Sequence, residues 1–466
     1  MQTRSHRLIE IAWPEFGEAA RPPEPPAAEL ERRLALTRTA TERRAWTHLV
    51  VYGDREHFAN LAWLTQMDPR FEEMLLVIGP ASRPLLIVGN ECEGYLPFSP
   101  LHRAGGLRAE RFPAFSLLNQ PREGSRTLRE ILASEGIGAG SQVGCAGWKY
   151  FSSTDDPAGR HALDVPSFIA DALRELAGRE RVENASDLFM HPEWGLRATV
   201  SASEIAEFEY ANIKASEAVK RMIFGVRPGR RDHDVFRLAQ WDGEPLGCHA
   251  TFASGDMPGL CSPRGRTLQR GEPLSLNLCY RGGNICRAGW IAETADDLPS
   301  AARDYVAAFA GPYFEVMAEW FTRLRIGTSG GDLHALVAEK LPFEKFGIFL
   351  NPGHLIHLDE WLSSPIYHGS TVSLRSGMAL QVDVIPSSPI YGSTRMEDGV
   401  VLADVALRRQ LERQFPECYA RCQVRRTFMA EILGLELPEE VLPLSNTPAI
   451  VPPFFLQPNQ VFALAK

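Results

Sequence analysis

A chain of 466 residues with 44% hydrophobic and 23% charged residues can bury a large core and, at this length, is expected to divide into two domains. Lys and Arg number 49 against 58 Asp and Glu, a net charge of −9, which argues against a nucleic-acid or anionic-membrane partner. No stretch approaches 18 uninterrupted apolar residues, and the opening MQTRSHRLIEIAWPEF has no signal-peptide core, so the cytoplasm is the expected setting.

In chain order, residues 1–28 read as an N-terminal arm, because EAARPPEPPA (18–27) is rich in Pro and Ala. A helix is predicted near 29–43, then a strand at HLVVYG (48–53), a short helix near 55–64, and strands at 73–79 and 84–90. A helix near 126–135, a strand near 142–146, a helix near 166–178 and a strand entering 183–189 complete the pattern. This alternation predicts an α/β domain over 29–197.

The second half opens on a helix at 201–226, where Ser201 and Glu204 have capping-box spacing and Pro228-Gly229 stops the run. A helix at 233–240, strands at 249–253 and 273–280, helices near 300–323 and 331–340, and strands near 377–385 and 396–403 follow. Grouped strands and helices predict an α+β domain over 198–405. Residues 406–466, a helix followed by Pro-rich chain, read as an extension packing on it.

The eight cysteines form no CxxC pair and read as free thiols, with Cys418 and Cys422 on one packed helical face. Chemistry concentrates after residue 245, in CSPRGRTLQRGEPLSLN (261–277), NLCYRGGNICRAGWIAE (277–293), NPGHLIHLDEW (351–361), and the pair GMALQVDVIP (377–386) and TRMEDGVV (394–401). His354 with Asp383 and Glu397 from separate strands supplies a base that titrates near neutrality and carboxylates that orient it or take a proton.

Three motifs carry a resemblance: Gly-His in GHLIHL (353–358), GM-x-x-x-V-D-V (377–384) and R-M-E-D (395–398). In this order, behind the helix EIAEFEYANIKASEAVKRM, they resemble the creatinase, prolidase and methionine-aminopeptidase superfamily, whose C-terminal domain has the pita-bread fold. The resemblance covers residues 199–405 and extends more weakly over the N-terminal half. It implies an α/β N-terminal domain followed by an α+β pita-bread catalytic domain.

Metallopeptidases of that superfamily hold two divalent ions with two Asp, one His and two Glu, because paired cations need several anionic oxygens. Aligned without gaps, those positions fall on Asn277, Ala288, His354, Asp383 and Glu397, so the first two ligands are missing; a small insertion in the hairpin would instead match Gly289-Trp290-Ile291-Ala292-Glu293 to the Gly-Tyr-x-x-Asp pattern that the resemblance implies and bring Glu293 to the second Asp position. Two further family histidines align with Cys261 and Trp361, and His357 stands where glycine is usual. Creatinase resembles the peptidases in fold but works without metal, and it shares the tetrapeptide LSLN (274–277).

The expectation is therefore a creatinase-like hydrolase without a cofactor, cleaving a C–N bond of a small carboxylate-bearing substrate. His354 is its acid and base, Glu397 and Asp383 orient it, and Cys261 is a candidate nucleophile. Asn277, Arg70, His357, Glu293 and Trp361 are expected to bind substrate, Arg70 because DPRF (68–71) resembles the creatinase segment that reaches the partner subunit's substrate. The alternatives are a prolidase or aminopeptidase P type of metallohydrolase with one divalent ion, and an inactive binding member. By resemblance the enzyme is a homodimer.

Overall fold

The computed structural model describes residues 5–69 and 72–465, and the chain forms two compact units, one of residues 23–197 and one of residues 1–22 with 198–466. In chain order the strands are β1 (His6–Glu10), β2 (His48–Gly53), β3 (Met74–Ile78), β4 (Leu85–Val88), β5 (Arg108–Arg111), β6 (Val143–Ala146) and β7 (Val182–Asn184). Next come β8 (Thr251–Ser254), β9 (Pro273–Tyr280), β10 (Gly283–Trp290), β11 (His354–Leu355) and β12 (Ala379–Gln381). The last are β13 (Arg395–Glu397), β14 (Gly399–Leu402), β15 (Val441–Pro443) and β16 (Gln460–Leu464). Among the described residues no helix is long and apolar enough to cross a membrane.

In the unit of residues 23–197, a six-stranded sheet has the order β5-β4-β3-β2-β6-β7. β2, β3, β4 and β6 are buried along their whole length, which is why they read as continuous apolar runs rather than alternating ones. The helices Leu128–Ser134 and Ser167–Ala177 pack Leu128, Ile131, Leu132, Ile169 and Leu173 into that core. The strand expected to run to residue 189 ends at Asn184, whose side-chain oxygen accepts a hydrogen bond from the Ser186 N–H at 2.9 Å and turns the chain into the short helix Asp187–Met190.

The other unit is built on two four-stranded sheets, β13-β10-β9-β8 and β11-β12-β14-β15, and the helix Ala202–Gly225. The predicted capping box is made: Ser201 Oγ accepts from the Glu204 N–H, and the Glu204 carboxylate accepts from the Ser201 N–H at 2.8 Å. This helix lies close against the β9–β10 hairpin. A Cβ at Gly283 would come within 2.6 Å of the Asn212 backbone nitrogen, so only glycine permits the approach.

The single strand expected at 396–403 is two, β13 and β14, parted at Asp398, because that buried carboxylate faces inward. It takes hydrogen bonds from Arg287, Ser445 Oγ and the Ala449 N–H. The expected strand at 377–385 contracts to the three residues of β12. The last 60 residues are woven into the fold, since β15 pairs with β14 and β16 pairs antiparallel with β1 of the arm.

Candidate active site

Side chains two apart on a strand share a face, and the register sets which of them become neighbours. Asn277 on β9 stands opposite Cys286 on β10, which stands opposite Glu397 on β13; in the next row Ser275, Ala288 and Arg395 align. Asn284 lies on the same face of β10, opposite Cys279. From the second sheet, β11 brings in His354 opposite Gln381 of β12, with Asp383 two residues further on.

The Gly-His turn has a steric origin. Gly353 has φ +111°, and a Cβ there would meet the Gln381 carbonyl, Ile366 and Trp320 at 3.2 Å, so glycine alone delivers His354 into this space. His354 is fully buried; its Nδ1 lies 3.1 Å from the Leu355 carbonyl and donates to it, which leaves Nε2 as the ring atom with a free lone pair. Trp361 stacks on the imidazole at 4.0 Å between ring centroids and fixes its plane.

Three carboxylates converge on that nitrogen. Glu360 Oε1 lies 3.5 Å and Asp383 Oδ2 3.9 Å from His354 Nε2, and ligand atoms of His354, Glu360 and Glu397 all lie within 4.8 Å of one another. Burial pushes the Glu397 carboxyl well above the usual carboxylate range, and electrostatic interaction with the neighbouring Asp383, Cys286 and Glu360 pushes it further. Glu360 is raised by burial too, against the pull of His354, with Asp383 adding repulsion. Arg395 lies on the same face and donates to Cys286 Sγ at 3.0 Å.

This donor set fits one divalent cation. His354 Nε2 and Asp383 Oδ1 are buried without hydrogen-bond partners, which leaves both atoms open to a ligand. Ligands about 2.1 Å from an ion in tetrahedral array stand about 3.4 Å apart, close to the His354–Glu360 spacing. Two ions do not fit. Asn277 Oδ1 is taken by the N–H and Oγ1 of Thr251, at 2.7 and 2.6 Å, and buried Ala288 offers no donor. A second group with suitable donor types, Glu209 with Cys418 and Cys422, is spoken for, since Arg421 and Arg425 bind the Glu209 carboxylate at 2.6–2.8 Å.

Several residues expected to bind substrate have protein partners in the fold. His357 is buried against the helix Ala202–Gly225, its Nε2 3.5 Å from Glu204 and its ring edge-on to Phe208, so it braces the helix. Asn277 spends its amide on protein partners, and Trp361 covers His354. Glu293 is exposed past the end of β10, paired with Arg270 at 2.8 Å, whereas Ala288 lies within β10 in the row with Ser275 and Arg395. Glu293→Gln is expected to change stability by less than about 1 kcal/mol and leave metal affinity untouched in calorimetric titration.

Cys261 sits half-buried in the loop after β8, where its carbonyl accepts from the Phe252 N–H; among the described residues its thiol makes no hydrogen bond to the cluster. Arg70 lies outside the described residues. Sequence reasoning missed Glu360 and Asn284. Glu360 had one available signal, a carboxylate six residues after His354 in the same Gly-His segment; Asn284 had none before the hairpin register was known.

No family model matches the sequence, and no curated relative matches it either. Solved structures do match. A dipeptidase from Mycobacterium ulcerans shares 19% identity over 81% of this chain and 94% of its own, with a TM-score of 0.60. The Pyrococcus horikoshii prolidase shares 15% identity over 80% of this chain and 95% of its own, also at 0.60. An X-Pro aminopeptidase from Thermotoga maritima shares 14% over 78% and 95%, at 0.55.

The chain has the pita-bread fold. In this pita-bread protein the expectation of a cofactor-free centre is overturned, because the solved structures that share its fold include prolidases, dipeptidases and an X-Pro aminopeptidase. Its own donors are compatible with that, since ligand atoms of the buried His354 and Glu397 and the half-buried Glu360 lie within 4.8 Å of one another.

Proposed function

We propose that this protein is a metallohydrolase that cleaves the C–N bond of small peptide-like substrates with a single divalent ion. The observation that carries this reading is the convergence of His354, Glu360 and Glu397 within 4.8 Å, with His354 and Glu397 buried and His354 Nε2 left without a hydrogen-bond partner. It takes the place of the metal-independent, creatinase-like reading, which leaves three crowded carboxylates without a purpose.

A divalent ion held there supplies Lewis acidity at the scissile carbonyl and a nucleophile near neutral pH. The protein's own groups do the rest. His354, Glu360 and Glu397 hold the ion, and Trp361 keeps the imidazole in plane and excludes water from its face. Asp383, whose Oδ1 is free, takes a proton from the attacking water and returns it to the leaving nitrogen as the C–N bond breaks. Arg395 keeps a positive charge on the same face, which limits the repulsion among the acids.

The same reading takes the enzyme to be a cytoplasmic homodimer, which light scattering on the full chain checks for the oligomer. The function itself is tested on a panel of dipeptides, X-Pro members included, with protein stripped by chelator and then reloaded with Mn, Co or Zn. Hydrolysis that vanishes on stripping and returns on reloading is expected; equal turnover in chelator overturns the metal, and no turnover on any panel member favours an inactive binding protein.

A further inference from the structure

We propose that Asn284 is a positioning residue that, anchored through Asn277, does part of the work of a second cation, holding Glu397 and Glu360 together and limiting the centre to one ion. This rests on the metal reading of the site.

The direction of every hydrogen bond in the chain follows from its first member. The Thr251 backbone N–H can only donate, and it meets the Asn277 side chain at 2.7 Å, so that atom is the amide oxygen. The Thr251 hydroxyl donates to the same oxygen at 2.6 Å. The Asn277 NH2 must then face outward, and it reaches Asn284 Oδ1 at 3.2 Å. Asn284 in turn presents its NH2 to the acids, at 2.7 Å from Glu397 Oε1 and 3.4 Å from Glu360 Oε1. Two hydrogens meet two carboxylates.

Like-charged buried carboxylates repel, and a cation between them is the usual remedy. An amide NH2 does part of that work without adding charge, and it is fixed in orientation by a backbone group that cannot rotate. Counting back four positions from Ala288, Asn284 stands where the Gly-Tyr-x-x-Asp pattern of the resemblance has glycine, so the amide occupies a place that a glycine leaves open. The residue at the first Asp position, Asn277, turns its oxygen toward Thr251 and away from the centre, and thus serves the relay rather than an ion.

The test uses full-length protein stripped of metal, with Mn2+ as the probe, read by calorimetric titration and by metal content per chain. Wild type is expected to bind one Mn2+. Asn284→Leu, similar in shape but without donors, is expected to bind one Mn2+ with affinity lower by roughly 10–100-fold. Asn277→Leu is expected to lose a similar factor, and the double variant no more than Asn284→Leu alone, since the two act in series. Thr251→Val keeps the backbone N–H and is expected to bind as wild type does. Wild-type affinity in Asn284→Leu, or two ions in wild type, overturns the role of Asn284. Wild type that takes up no Mn2+ overturns instead the metal reading beneath it. If Asn284→Leu does not fold, Asn284→Ala, which also lacks a side-chain donor, carries the same comparison.

Discussion

His354→Ala is expected to lower divalent-ion affinity by more than the roughly 10–100-fold typical of losing an outer-shell partner, and to reduce hydrolysis to background at metal concentrations that saturate wild type. The reason lies in the donor set. His354 is its only nitrogen ligand, presented through Nε2 because Nδ1 is committed to the Leu355 carbonyl. Of the three ligands the variant retains Glu360 and Glu397, an all-oxygen set, so residual binding should shift from zinc and cobalt toward manganese and magnesium. Removing the imidazole also removes the influence that opposes the rise of the Glu360 carboxyl, and protons then compete more strongly with the ion for the remaining acids. Calorimetric titration with each metal checks both parts; unchanged zinc affinity in His354→Ala would remove His354 from the centre.

Arg287→Met is expected to destabilise the protein by about 3–5 kcal/mol, the usual cost of stranding one member of a buried ion pair. Arg287 is 1% exposed and binds Asp398 Oδ2 at 2.8 Å, while its other donors reach the carbonyls of Cys286, Glu397, Thr447 and Ile450 at 2.6–2.9 Å. One side chain thus ties β10 and β13 to the C-terminal segment. Its loss leaves a buried carboxylate and four carbonyls short of donors, and a methionine of similar length fills only the volume. Because Arg287 grips the Glu397 carbonyl, the surviving folded protein should also bind metal more weakly. Chemical denaturation with calorimetric titration reads both effects, and adding Asp398→Asn should recover part of the stability by removing the stranded charge. A midpoint equal to wild type would show that Arg287 and Asp398 are not coupled as the geometry indicates.

Local patterns were legible wherever local forces decide. The capping box at Ser201 and Glu204 and the Pro228-Gly229 stop bracket a helix observed at Ala202–Gly225, close to the predicted 201–226. The runs that became β2, β3 and β4 stood out as apolar because both faces of that sheet are covered. The Gly-His turn and the acids Asp383 and Glu397 were also legible, since each sits in a motif with its own spacing.

Relations across the chain were not legible. Glu360 enters the centre because the irregular chain after β11 folds back over His354, and no periodicity encodes that path. Asn284 meets Glu397 only because a two-residue turn at Arg281 and Gly282 sets the hairpin register; a slip of one residue would turn it to the other face. His357 lies three residues from His354 in sequence yet packs on a helix, because chain direction after the Gly-His turn, not proximity, decides which side of the sheet a side chain meets.

By itself, the sequence determined a large acidic chain with an α/β half and an α+β half, and a Gly-His segment followed by two strands that carry Asp383 and Glu397. Apolar periodicity, caps and glycine turns act over a few residues and can be read in one dimension. Only the tertiary structure decided that His354 faces three carboxylates rather than two, that Asn277 serves the relay to Asn284, and that Glu293 stays at the surface. Those outcomes depend on strand register and on the mutual approach of two sheets, which bring together groups up to 113 residues apart, and the charge balance of a centre exists only once they meet.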